Sequence, residues 1–144
     1  MSMLTRIAAA FAAVAVLTPA AARAQQSVDL VAHVPFAFSI GNTELPSETY
    51  QLSSLNGHPE MLLVRGDRHG VVVRGEDVRE QSRATHPVLV FHRYGDEYFL
   101  REVRLEGSAR LDLPETKAER AAADRRVDRA AAPMESVIVS ADER

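Results

Sequence analysis

A chain of 144 residues without a single Cys has no disulfide staples, no thiolate metal sites, no Cys nucleophile and no lipidated Cys. Its formal charge is −3, and its cations are sixteen Arg and only Lys117. Such a mildly acidic chain lacks the clustered basic surface on which phosphate-backbone binding rests, so nucleic acid is not an expected partner.

In chain order, the first 24 residues read as a secretory signal peptide. Arg6 precedes an apolar run from Ile7 to Leu17, Thr18 and Pro19 break it, and Ala22-Arg23-Ala24 supplies small residues at the −3 and −1 positions. A spanning helix needs about 20 apolar residues, and this run is shorter, so cleavage after Ala24 is expected rather than anchoring. No second apolar run follows, hence no membrane span after cleavage, and the expected location is the periplasm or the extracellular space. The leader carries Arg6 and Arg23 and no acid, so removing two positive charges from −3 leaves residues 25–144 at −5. That remainder is expected to be one domain, since chains of this size bury roughly 65% of their surface on folding.

Val28 to Ile40 alternates, with Val28, Leu30, Ala32, Val34, Phe36, Phe38 and Ile40 on one face. Period-two patterning predicts a half-buried strand, and Pro35, which cannot donate to a ladder, places it at an edge or breaks it with a bulge. Gly41 to Ser47 is turn-rich and leads to a second strand near Tyr50 to Leu55, a first hairpin. Asn56-Gly57-His58-Pro59 reads as a loop. Met61–Arg65 and Val71–Arg74 form a second hairpin around Gly66 to Gly70. Glu76 to Ala84 is polar and fits either a loop or one exposed strand.

Pro87 to Leu105 carries the clearest signal. Val88 to Phe91 approach Gly95-Asp96, and Tyr98, Phe99, Leu100 and Val103 leave it, as in a type II′ hairpin with Gly first. Four of the seven aromatic residues beyond the leader fall between Phe91 and Phe99, so this hairpin is expected at the centre of the core. Glu115 to Ala130 predicts a helix rich in Ala, Glu and Arg, with Asp112 and Glu115 spaced as a loose capping box and Pro114 in its first turn. Ala132-Pro133 ends it, and Met134 to Ser140 predicts a final strand. Strands at short spacing followed by one helix and a last strand favour a mainly β fold, a single antiparallel β-sandwich or partly closed β-barrel.

Two stretches, Val34-Pro35-Phe36-Ala37-Phe38 with Leu45-Pro46 and Tyr50, and Phe91 to Leu100 (FHRYGDEYFL), resemble a family of small uncharacterised bacterial exported β-rich proteins. The segment Leu113-Pro114 to Glu119-Arg120 and the closing strand also resemble that family's ending. Its members carry a small residue and Gly between Leu-Pro and Tyr, where this chain has Ser47, Glu48 and Thr49. The resemblance implies an exported β-rich domain and no particular chemistry.

Candidate chemistry is sparse. Five His (His33, His58, His69, His86, His92) form no His-x-His or His-Glu-x-x-His pattern. His86 and His92 share a strand face but stand about 20 Å apart at ~3.3 Å per residue, so exposed or turn histidines are the expectation. His92, Asp96 and Glu97 lie near one turn, yet no Ser occupies a Gly-x-Ser-x-Gly elbow. Arg65-Gly66-Asp67 spells an adhesion tripeptide, but Gly-Asp is ordinary turn chemistry. The predicted helix has Val127 as its one apolar residue larger than Ala, too little for a membrane-surface or partner-binding face, so a solvated helix is expected.

Arg93, Tyr94 and Tyr98 form the one candidate interaction surface, because Tyr and Arg are enriched where proteins grip partners; Tyr rings capping a sheet end with their hydroxyls in water are the simpler account. No catalytic, cofactor or metal residue is assigned. The expected role is a non-catalytic periplasmic or secreted binding or envelope-associated module whose partner is another envelope protein or a small apolar ligand. The alternatives are a small apolar ligand carrier with a barrel pocket, and a hydrolase or metal-dependent enzyme whose site is assembled from distant loops.

Overall fold

The computed structural model describes residues 28–129 and 134–144. The predicted leader and the predicted helix stop at Ala132-Pro133 lie outside the described residues. Two antiparallel sheets pack face to face as a sandwich, with one helix before the last strands and no closed barrel.

The first sheet has the order β12 (Asp142–Glu143), β1 (Asp29–Val34), β4 (Glu48–Leu55), β5 (His58–Arg65), β6 (Gly70–Arg74). The second has the order β11 (Glu135–Ser140), β8 (Val88–Tyr94), β9 (Glu97–Arg104), β10 (Gly107–Asp112), β7 (Glu76–Ala84). A small hairpin of β2 (Phe38–Ile40) and β3 (Thr43–Leu45) joins the second sheet through a parallel bridge, Ser39 opposite Phe99. Helix α1 spans Lys117–Asp128.

The sheets are stitched by strands that bend from one to the other, as sandwich corners require. The alternating run predicted from Val28 to Ile40 is interrupted at Pro35, as expected, but its two halves belong to different sheets, β1 to the first and β2 to the second. At a second corner β6 passes into β7 through Gly75 alone. A Cβ there would stand 2.7 Å from Leu111 Cγ and 2.8 Å from the Asp112 carbonyl oxygen, so the corner has room for glycine only. At a third, buried Ala141 separates β11 from β12 and donates its N–H to the Pro87 carbonyl oxygen at 3.0 Å. Glu76–Ala84, open between loop and strand on sequence, is a strand.

Asn56-Gly57 is a tight turn, not a four-residue loop. Leu55 pairs with His58, and both central residues have positive φ (52° and 75°), the pattern of a type I′ hairpin. The Gly95-Asp96 hairpin is as predicted: Tyr94 pairs with Glu97, and Gly95 has φ +68° at the first central position.

The core lies between the sheets. Leu30, Ala32 and Val34 of β1, Tyr50 and Leu52 of β4, Leu62 and Val64 of β5 meet Leu89, Phe91, Leu100, Val103 and Leu111 of the second sheet. Phe38 bridges them, its ring edge-on to Tyr50 (5.3 Å) and to Phe91 (5.2 Å). The β8–β9 hairpin contributes heavily but shares the centre with β1 and β4. Tyr50 is buried, and its hydroxyl donates to the Pro46 carbonyl four residues upstream, so this buried phenol has a partner.

Candidate functional site

The second sheet has another face, and a separate structure is built on it. Along β8, Leu89 and Phe91 point into the sandwich, while Val90, His92 and Tyr94 alternate onto the side that α1 covers. Val90 is buried although it stands outside the main core cluster. On β9 the alternation is broken by a bulge. Leu100 opposes Phe91 and Glu102 opposes Val90, which leaves Arg101 between them unpaired. The extra residue lets Leu100 and Val103, three apart, both face the core and sends Arg101 to the helix side.

Helix α1 supplies the partner. Its N-cap is Thr116, whose hydroxyl accepts the Glu119 N–H at 3.2 Å, rather than the predicted Asp112 with Glu115. Thr116-Lys117-Ala118-Glu119 has capping-box spacing, but Glu119 turns toward the sheet. The residue is 0% exposed and its carboxylate gathers three donors. Oε1 accepts His92 Nδ1–H at 3.0 Å and the Tyr94 hydroxyl at 3.1 Å, and Oε2 accepts Arg101 Nη1–H at 2.9 Å. Arg101 also donates Nε–H to the Leu113 carbonyl oxygen at 3.0 Å and accepts the Leu113 N–H at its own carbonyl at 2.7 Å. It thereby ties the segment entering the helix to the bulge.

A buried carboxylate is tolerable only when paired and hydrogen-bonded. Here one guanidinium neutralises it, and an imidazole and a phenol fill its remaining lone pairs. The same arrangement holds the Tyr94 hydroxyl in its neutral form. Burial, then the adjacent Glu119 charge, then the hydrogen bond to Glu119 push it up to about 12. Apart from Glu119, the only buried residue of the helix is Ala122, and Val127 is 79% exposed. The prediction of a largely solvated helix holds, with one fully buried charge that it did not include.

The structure divides the predicted trio. Tyr94 faces the helix, and its hydroxyl is on Glu119 rather than in water. Arg93 and Tyr98 are directly opposite in the β8–β9 register, on the other side of the hairpin. The Arg93 guanidinium lies 5.4 Å from the centre of the Tyr98 ring, which stacks on Phe36 at 3.9 Å. Arg93 Nε–H also donates to the Gly95 carbonyl oxygen at 2.7 Å, bracing the turn.

Of the histidines, His33, His58, His69 and His86 are exposed as expected. His92 is the exception, with 20% of its side chain exposed and Nδ1 on Glu119. Its carboxylate comes from the helix and not from Asp96 or Glu97, which the sequence places near it. Ser136 on β11 is directly opposite His92, completing the residue types of a hydrolytic triad. Its hydroxyl, however, points toward the Met134 sulfur at 4.0 Å, and no hydrogen bond joins it to His92 among the described residues. Nor, among the described residues, do three His, Asp or Glu side chains converge as metal ligands. Arg65-Gly66-Asp67 begins the β5–β6 turn, closed by Gly66 N–H on the His69 carbonyl oxygen at 2.8 Å.

By pinning α1 against β8, the Glu119 network opens a cleft of about 290 Å³ between the last helical turns and the β8–β9 turn. Arg125 crosses it, donating from Nη2 to both Glu97 carboxylate oxygens at 2.9 and 2.8 Å. The Arg126 guanidinium rests on Gly95, where a Cβ would lie 2.8 Å from Nη1. Compared with known proteins, the chain matches no family model, no curated protein and no solved structure.

Proposed function

We propose that the chain is exported, loses residues 1–24, and works in the periplasm or outside the cell as a non-catalytic binding or envelope-associated module. The observation that carries the binding reading is the cleft between α1 and the β8–β9 turn. Its two walls are fixed to one another by a fully buried carboxylate with three donors, so it is a pre-formed concavity rather than a loose loop. Export rests on the order of charge, apolar run and A-x-A ending in residues 1–24. An apolar ligand held in a barrel has no support in the architecture, because the sheets form a sandwich whose interior is occupied by side chains such as Phe38, Tyr50 and Phe91.

The test is expression of the precursor in a bacterial host and measurement of denatured and native masses of the exported form. The expected denatured mass lacks residues 1–24, and the expected native species carries non-covalent mass, either a small molecule or a partner. Retention of the leader contradicts export. A bare native monomer that gains nothing from envelope extract contradicts the binding role.

A further inference from the structure

The cleft has an uneven distribution of charge that points to the class of its ligand. Of the charges that line it, Arg125 and Glu97 neutralise one another, and Arg126, which stands against Gly95, has an interaction of its own. Two remain. Asp96, on the hairpin wall, and Arg129, just past the helix on the other wall, are both exposed. Neither side chain has a hydrogen bond or ion pair among the described residues. They line one cleft with opposite signs and are not paired with one another. Tyr94, Gly95 and Ala122 supply the uncharged part of the lining.

From this geometry we infer that the cleft takes a small zwitterion carrying an ammonium and a carboxylate, of the class of a free amino acid or a short unblocked peptide. The ligand's carboxylate meets Arg129, for which a guanidinium fork is well suited. Its ammonium meets Asp96. A simple anion leaves Asp96 unmatched, and a simple cation leaves Arg129 unmatched. Only a ligand bearing both charges satisfies both walls. The volume, about 290 Å³, falls just below the ~300–1,000 Å³ usual for small-molecule sites, which suits an amino acid or dipeptide better than a longer chain.

This inference rests on the binding-module reading and refines it. The experiment is titration of the purified protein with alanylalanine, followed by amide chemical shifts and calorimetry. Acetylated alanylalanine, which lacks the ammonium, and alanylalanine amide, which lacks the carboxylate, serve as matched probes. The expected result is saturable binding of the free dipeptide, with shifts at Gly95, Asp96 and Arg129, and about tenfold or greater loss with either blocked form. Asp96→Asn and Arg129→Gln, both at exposed positions, should each cost a similar factor while leaving the thermal midpoint unchanged. Equal binding of either blocked form, no binding of the free dipeptide, or unchanged binding in both variants overturns the proposal. If the exported protein retains non-covalent mass but ignores the dipeptide, the ligand class is wrong and the binding role stands. If it retains none and also ignores the dipeptide, both fall.

Discussion

The two faces of the second sheet are held to their neighbours by different physics. Toward the first sheet, Leu89, Phe91, Leu100 and Val103 are buried among aliphatic and aromatic side chains, and the attraction scales with the apolar area removed from water. Toward α1, the same two strands present Val90, His92, Tyr94 and Arg101, and the helix offers Ala122 and one carboxylate. Apolar packing tolerates small rearrangements and is spread over many residues. A charge network is concentrated: each member is needed to satisfy the others, and removing one leaves buried groups unpaired. The sandwich therefore supplies stability, while Glu119 determines where the helix sits and with it the shape of the cleft.

The comparison can be broken at several points. The largest effect is expected from Phe91→Ala, which empties the middle of the sandwich; unfolding in urea should show a loss of about 3–5 kcal/mol with the whole molecule affected. Glu119→Ala should cost about 3 kcal/mol, the lower end for a broken buried pair because Arg101 keeps 23% of its side chain in contact with water. Its signature is local, since α1 should lose hydrogen-exchange protection while β1, β4 and β5 keep theirs. Gly75→Ala, which drives a Cβ into Leu111 and the Asp112 backbone, should cost about 1–3 kcal/mol in the same assay.

A pH series sharpens the helix side. The Tyr94 hydroxyl is held up to about 12 when folded against an ordinary value of 10.0. The stability it contributes is fully present below pH 10.0, declines above it as the unfolded chain ionises first, and is lost as pH rises through about 12. Tyr94→Phe should flatten that part of the stability curve. The smallest effect is expected from Arg125→Ala, because the Arg125–Glu97 pair is half exposed on both sides. It should change stability by about 0.5 kcal/mol or less.

What the sequence disclosed follows the same division. Strands whose apolar residues alternate against the main core were legible: the β8–β9 hairpin with its Gly95, the β5–β6 hairpin and the closing strand β11. The break at Pro35 was legible too, but not that it marks a change of sheet, since alternation does not say which layer a strand joins. The Gly75 corner leaves no trace beyond a lone glycine in a polar stretch. On the helix side, His92 and Arg101 each look like one more polar residue in a strand, and the bulge that re-aims Arg101 depends on pairing that sequence does not display. One signal is present in the sequence: Thr116 followed three residues later by Glu119 has the spacing that marks a helix start. Even so, it would have suggested a carboxylate folded back on its own helix, not one buried in the sheet.

The central claim, that one carboxylate and not apolar burial seats the helix, is tested most directly by amide hydrogen exchange on Glu119→Ala beside the parent protein. The account predicts that protection across residues 117–128 falls roughly a hundredfold while that of Leu52, Leu62 and Phe91 changes only slightly. A helix that stays as protected as in the parent would contradict it, and would mean that Ala122 and the chain connections alone hold α1 in place.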